Sequence, residues 1–496
     1  MRDRLKHLTT GVAIYGSGDA AIQIVNFALL AVYVKGGFLT AVDYGALALI
    51  GALEAFARIA SRLGLDGAFM RFYHERGDLL PRMASTIVWF LLAANVVLFG
   101  TAGLVSGWLG GWLFDDPQYV RALRLMLLNT FLMALTFVPF HAMRMRNEAI
   151  TYSAFAFARS AGTLVLRIVF VIGLGYGLTG MYVADLVVTV ALVPLMWSWI
   201  RPFIRRTFSR QDLRLALRFG LPRVPHGFAQ QALEGGNKLL LGGYVTQAQL
   251  GVYQNALTLG TGVKFFTSAF ETAWAPFYYA TARQPDARTV LGKMTTYGFA
   301  VLVLLVAGTV AVARDVVLVM LTPAYLGAAP VLPIVAVGLA FQGAYLLTSI
   351  GLNLSGRTEF YPVATFAAAG VGLTAGVLLM PRYGAMGAAA AFLLSYAVQA
   401  VAAGLFARRF YRIPYETGRL ARIAGAGLTA ALVALWVVPP LPPLAGLLTR
   451  GATTVAVYVL CLWATGFLRT TERLAVRELF ERVRRPRHVP VANDVE

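Results

Sequence analysis

Apolar residues run along this chain in blocks of about twenty, separated by short polar stretches, from residue 11 to residue 468. A helix rising about 1.5 Å per residue needs about 20 such residues to cross a hydrocarbon core of about 30 Å. Windows of this kind predict an all-α membrane protein of about fourteen transmembrane helices. Six lie near 11–34, 43–63, 83–105, 119–141, 152–173 and 178–200, and six more near 221–243, 250–272, 295–320, 330–352, 361–380 and 385–406. Two close the series, near 420–438 and 447–468; the second, seventh and eighth carry the most charge. The first apolar run is too long for a signal-peptide core and has no small-residue cleavage site, so it reads as a retained helix.

Composition excludes a water-soluble domain. Of 496 residues 58% are hydrophobic and 13% charged, with mean hydropathy +0.68, whereas soluble domains carry roughly a quarter charged residues. The net charge of +20 points to membrane topology rather than nucleic acid, because the basic residues cluster in alternate connections between apolar runs. One set holds Arg71, Arg76, Arg82, Arg144, Arg146, the arginines from Arg201 to Arg218, Arg283, Arg288, Arg357 and Arg408 to Arg422; the other holds little beyond Lys35, Arg314, Arg382 and Arg450. The positive-inside rule then places both termini in the cytoplasm. The segments 201–219 and 470–487 mix arginine with apolar residues as interfacial helices do. Cys461 stands alone, so neither a disulfide framework nor a thiolate metal site is expected. No metal and no cofactor is implied.

A faint internal repeat organises the spans. LTAVDYG from Leu39 to Gly45 recurs as VTQAQLG from Val245 to Gly251, an offset of 206, and Tyr176-Gly-Leu-Thr-Gly180 recurs as Tyr383-Gly-Ala-Met-Gly387, an offset of 207. Two distant pairs agreeing within one residue imply a duplicated six-helix unit. Each offset joins helices of like orientation, so the halves are related by a pseudo-two-fold along the membrane normal, the arrangement in which substrate sites form between halves. The expected domains are a first lobe over 1–200, a linker over 201–219, a second lobe over 220–407, two further helices over 408–469 and a basic tail over 470–496.

Polar groups inside the apolar spans carry the functional signal. A charge at the bilayer centre costs about 2.5 to 3.5 kcal/mol on insertion scales, so one that persists faces a partner or a wet cavity. Asp19, Gln23 and Asn26 share one face of the first helix, and Glu54, Arg58 and Arg62 one face of the second. The seventh carries Arg223, His226, Gln230, Glu234, Asn237 and Lys238 at steps of three and four, and the eighth adds Lys264 and Glu271. Glu54 with Arg58, or Glu234 with Lys238, could equally be self-neutralising i, i+4 pairs. Under the repeat offset Arg58 superposes on Lys264 and Gln23 on Gln230. Inert packing does not require polar faces on matching helices of both halves. Arg159 and Arg167 with Asp185 read instead as a structural bridge between the fifth and sixth helices, and Arg71 as part of the positive-inside bias.

Several stretches match a known pattern: the opening Gly16 to Asn26 helix, Leu39-Thr-x-x-Asp43-Tyr44-Gly45, Gly64-Leu-Asp-Gly-Ala-Phe-Met-Arg-Phe-Tyr73, Gly251-Val-Tyr253 and Leu354-Ser-Gly-Arg-Thr358. Over residues 8–470 the chain resembles the polysaccharide transporter family of Wzx-type oligosaccharide flippases, within the multidrug/oligosaccharidyl-lipid/polysaccharide (MOP) exporter superfamily. The resemblance implies two six-helix lobes in a V with alternating access. It implies a lipid-linked oligosaccharide cargo on undecaprenyl pyrophosphate, moved from the cytoplasmic to the periplasmic leaflet of the bacterial inner membrane to supply O-antigen, exopolysaccharide or capsule. It also implies that cations of the first, second, seventh and eighth helices meet the headgroup, here Arg58, Lys264, Arg223 and Lys238; the first helix departs from the pattern by offering Asp19.

The expected substrate-binding set is therefore Arg58, Lys264, Arg223, Lys238, Arg62 and His226 with Gln23, Gln230, Asn26 and Asn237. Asp19, Glu54, Glu234 and Glu271 are the candidates for ion coupling. Expected partners are the lipid-linked oligosaccharide, membrane lipids, and a polysaccharide polymerase with its export components, with no nucleic acid. The rival reading is a cation-coupled multidrug antiporter of the same superfamily. A membrane glycan polymerase or ligase fits less well, because the outward connections are short and no usable HExxH, GxSxG or P-loop occurs; no enzymatic activity is expected.

Overall fold

The computed structural model describes residues 25, 27–75, 80–114, 116–146, 148–201 and 204–467, without the side chains of 73–75, 80, 149, 269, 272–273 and 276. Asp19, Gln23, Asn26 and the segment 470–487 lie outside the described residues. Among those described, ten helices are long and apolar enough to cross a membrane, and no strand occurs. A helical segment over 27–35 leads into α1 (Ala41–Arg62), the short α2 (Leu65–Glu75), α3 (Leu80–Leu113), α4 (Gln118–Met145), α5 (Ala149–Arg167, continued as a π-helical segment to Gly173) and α6 (Gly177–Ile200). These match the expected second to sixth spans.

The next helical stretch departs from expectation. The seventh span, expected as one regular helix over 221–243, is the end of a rod that is helical without interruption from Arg210 to Gly242 but changes pitch along the way. It comprises α7 (Arg210–Gly220), a 3₁₀ turn (Leu221–Arg223), α8 (Val224–Gln231), a π segment (Ala232–Gly236) and α9 (Asn237–Gly242). The Gly235-Gly236 pair tolerates the wide π turn, and the residue this turn takes up rotates everything after it around the axis. The part of the expected linker from Arg210 onward is the start of this rod, and the linker packs against α3. Arg82 grips Asp212 with Nε at 2.7 Å and Nη2 at 3.2 Å. The hydroxyls of Ser85 and Thr86 accept the amides of Arg205 (2.7 Å) and Ser209 (3.0 Å).

Then follow α10 (Gln247–Thr281), α11 (Ala287–Met320), α12 (Ala328–Thr348), α13 (Ile350–Leu354), α14 (Phe360–Phe410), α15 (Thr417–Val437) and α16 (Pro443–Ala464). The 51 residues of α14 would span about 77 Å if straight. Gly384, at φ 52° and ψ −124°, folds them back. The returning arm lies against the outgoing one, with Gln399 donating to Thr365 across it (3.3 Å). These arms are the expected eleventh and twelfth spans. Of the two appended helices, the first packs on α11 where Gly427 meets Val303, and the second through Tyr458, which donates to the Ala300 carbonyl (2.8 Å), and through the ion pair of Arg450 with the buried Asp315.

The structure repeats where the sequence does. Thr40 and Thr246 each open a helix with a reciprocal capping box, to Asp43 and Gln249. Five residues on, Gly45 of α1 and Gly251 of α10 let these helices cross in backbone contact, Gly45 against Gln247 and Gly251 against Ala41. Without a water-driven force between helices in lipid, such close approach is what holds them together. The second aligned pair corresponds as well: Gly177 (φ 54°) and Gly384 (φ 52°) turn the chain between the last two helices of each half.

Candidate functional site

The α1–α10 crossing makes a V. Both helices begin at the crossing, on the arginine-poor side, and run toward the arginine-rich side. Tyr119 and the Thr40 amide and hydroxyl all donate to the Asp43 carboxylate (2.9, 2.8 and 2.7 Å) at the closed end, with Tyr325 packed edge-on to Tyr44. Burial and the nearby Asp43 raise the Tyr325 phenol above its usual range, so it seals this end uncharged.

Beyond the crossing lies a cavity of about 680 Å³. From α1 come Gly51, Ala52, Ala55, Arg58, Ile59 and Arg62; from α10, Gln254, Leu257, Thr258, Thr261 and Lys264. The pitch-changing rod contributes Arg223, His226, Gln231, Glu234 and Lys238, the α1–α2 junction Asp66, and the twelfth span Phe392 and Tyr396. Arg58 and Lys264, each thirteen residues beyond its crossing glycine, stand about 20 Å from the closed end. Lys238 lies deeper, between the levels at which Gly242 meets Leu49 and Gly235 meets Ala52. Phe56 stacks on Phe228 (centroids 5.9 Å apart), so α1 and α8 form one wall.

Five cationic side chains, Arg58, Arg62, Arg223, Lys238 and Lys264, thus face two carboxylates, Asp66 and Glu234. Arg58 is half-neutralised by Glu54 at 3.1 Å, as an i, i+4 pair. The matching pair on the seventh span does not form: among the described residues no carboxylate lies within 4.0 Å of Arg62, Arg223, Lys238 or Lys264, and Glu234 engages Gln230 instead (3.4 Å). The cavity is net cationic.

Not every expected site residue arrives here. Gln230 turns to Gln399 (3.3 Å) inside the second half, and Asn237 is buried with its amide nitrogen unpartnered. Glu54 serves Arg58 without lining the cavity, and Glu271 lies beyond it, exposed. Arg223 and His226 before the π segment, Glu234 within it and Lys238 after it all reach the cavity, while Asn237 takes another side. Arg167, not Arg159, makes the expected bridge to Asp185, at 2.9 and 2.7 Å. Thr258, Thr261 and Gln254 were missed although they share Lys264's face at helical spacing, a legible signal. Asp66, four residues past Arg62 and inside the quoted Gly64 to Tyr73 stretch, was also legible; Tyr396 had no signal, since only packing brings it in.

With this geometry the comparisons become informative. A family model described as "Polysaccharide biosynthesis protein" matches residues 37–330, more than half the chain. The chain belongs to that family. A comparison with curated protein sequences gives no match. Among solved structures, the lipid II flippase MurJ in an inward closed conformation is similar over 94% of this chain and 100% of its own, with TM-score 0.73 at 13% identity. An inward-facing multidrug resistance MATE family transporter of the MOP superfamily matches 82% of this chain and 96% of its own (TM-score 0.64, 17% identity). A MOP superfamily transporter from Pyrococcus furiosus, described as having a binding pocket of reverse polarity, matches 84% and 96% (0.52, 16%). At such identities the likeness establishes the fold, and the fold of this family member is of the MOP type: many apolar helices in two related halves with a cavity between them.

Proposed function

We propose that this protein is a flippase that carries an oligosaccharide linked to undecaprenyl pyrophosphate across the bacterial inner membrane, from the cytoplasmic to the periplasmic leaflet, for export of a surface polysaccharide. The observation that carries the reading is the set of uncompensated cations contributed by both halves to one cavity. At an effective dielectric of about 20, one such cation about 4 Å from a phosphate charge contributes roughly 4 kcal/mol before desolvation. Two or three hold a pyrophosphate firmly enough to select it, with Arg58 and Lys264 meeting it from opposite halves. The threonines of α10 and Gln254 offer hydrogen bonds to sugar hydroxyls. Opening the α1–α10 crossing while the arginine-rich side closes delivers the headgroup outward. An inside-negative potential favours that transfer by about 2.3 kcal/mol per charge per 100 mV, and the wall carboxylate Glu234 is placed to couple an ion.

The test is complementation of a deletion strain. Lys264→Gln with Arg58→Gln should leave expression and membrane insertion near normal, abolish the surface polysaccharide, and make the lipid-linked repeat unit accumulate inside. Undiminished polysaccharide from the double variant overturns the reading. Glu234 at the wall favours a multidrug antiporter as the second reading. That one expects unchanged polysaccharide and sensitivity to cationic drugs on deletion.

A further inference from the structure

The first half holds a second cationic recess, of about 360 Å³, between α4 and α5, which meets the central cavity only at Arg62, a residue bordering both. Its polar wall includes Arg62, His141, Arg144, Tyr152, Arg159 and Ser160, and no carboxylate lines it. The Arg167–Asp185 bridge satisfies Asp185 without Arg159. Among the described residues no carboxylate lies within 4.0 Å of Arg62, Arg144 or Arg159. Arg144 rests on a neutral group, its Nη2 donating to the Tyr152 hydroxyl at 2.9 Å and its guanidinium 5.2 Å from that ring. His141 is oriented by Nδ1, which donates to the Phe137 carbonyl at 2.9 Å.

Three guanidinium groups without a carboxylate partner, Arg62 half-buried and Arg144 and Arg159 exposed at its rim, surround one recess walled otherwise by Met133, Thr136, Phe137, Phe140 and Ala156; like charges so gathered repel each other, and an anion that joins them relieves the repulsion. Guanidinium is the side chain that grips phosphate in a planar fork, and the volume falls within the range of about 300 to 1,000 Å³ of small-ligand sites. We propose that this recess binds a lipid-borne phosphoryl group and serves as a waiting site beside the central cavity, handing over at Arg62. The group is either the pyrophosphate of the cargo, a source that rests on the flippase reading, or the headgroup phosphate of a resident anionic lipid.

The experiment counts farnesyl pyrophosphate bound to the purified full chain in phosphatidylcholine nanodiscs by native mass spectrometry. The wild type should bind two. Arg144→Gln with Arg159→Gln should bind one, with at least a tenfold loss of affinity for the other, and Lys264→Gln with Arg58→Gln should lose the complementary one. Two bound with unchanged affinities in the Arg144/Arg159 variant overturns the recess. Loss there with no effect of the Lys264/Arg58 variant sustains the recess and defeats the headgroup role of the central cavity, so the two failures are distinguishable. Should the double variant not fold, Arg159→Lys decides: it keeps the charge but not the fork, and unchanged affinity overturns the proposal. Adding phosphatidylglycerol to the nanodiscs separates the sources, since displacement of one pyrophosphate identifies the resident lipid and retention of both identifies the cargo.

Discussion

The crossing glycines make the state in which the arginine-poor end is closed depend on the absence of a single carbon. A Cβ placed on Gly251 would stand 2.9 Å from the Ala41 carbonyl carbon and 3.0 Å from the Gly45 nitrogen, and nearer still to the Ala41 oxygen. All are backbone atoms and none can swing aside. Ordinary carbon contacts lie at about 3.5 to 4.0 Å, so Gly251→Ala forces α1 and α10 apart by about 1 Å. Overpacking of this kind costs typically 1–3 kcal/mol. A conformation that parts the two helices at this end escapes the cost, so the substitution should favour it by roughly 5- to 150-fold. Gly45→Ala, whose Cβ would lie 2.7 Å from the Gln247 carbonyl carbon, should act alike. Gly262→Ala on the same helix meets nothing within 4 Å and is the control. In a Cys461→Ser background, spin labels at Val42→Cys and Ala248→Cys report the gap by double electron–electron resonance. A longer-distance population in the Gly45 and Gly251 variants, absent from the Gly262 variant, is expected. Folded Gly251→Ala protein with the wild-type distance distribution would refute the view that this crossing is the closed gate.

Two predictions concern stability. Asp315→Asn removes the counter-charge of the part-buried Arg450, which costs up to about 3 kcal/mol, so the thermal unfolding midpoint in detergent should fall and the two C-terminal helices should become open to proteolysis. Gly384→Ala places a side chain at φ 52° and ψ −124°, a strain of about 1 to 3 kcal/mol, and should lower the same midpoint while Gly370→Ala, with open space around it, does not.

Most of the spans were legible because crossing a hydrocarbon core imposes a local requirement, about 20 apolar residues, that ten of the described helices meet on their own. The repeat was legible for a similar reason. Thr40 and Thr246 cap their helices through residues three positions on, Gly45 and Gly251 sit at fixed register after them, and Gly177 and Gly384 supply the same positive φ. The second and eighth helices also yielded their cavity cations, because α1 and α10 are regular and a face at helical spacing stays a face.

What the chain settled by itself, then, is that it is an all-helical protein with many membrane spans, that it repeats, and which charges it brings among those spans. Only the folded molecule decided where those charges go. Gln230 left the expected stripe for a hydrogen bond with Gln399, and Asn237, just past the π turn, is buried away from the cavity. Arg159 lost Asp185 to Arg167, a competition between two arginines that spacing cannot judge and geometry does. Tyr396 joined the cavity from a segment far off in the chain, since contacts between helices depend on which surfaces meet, and no local pattern encodes that.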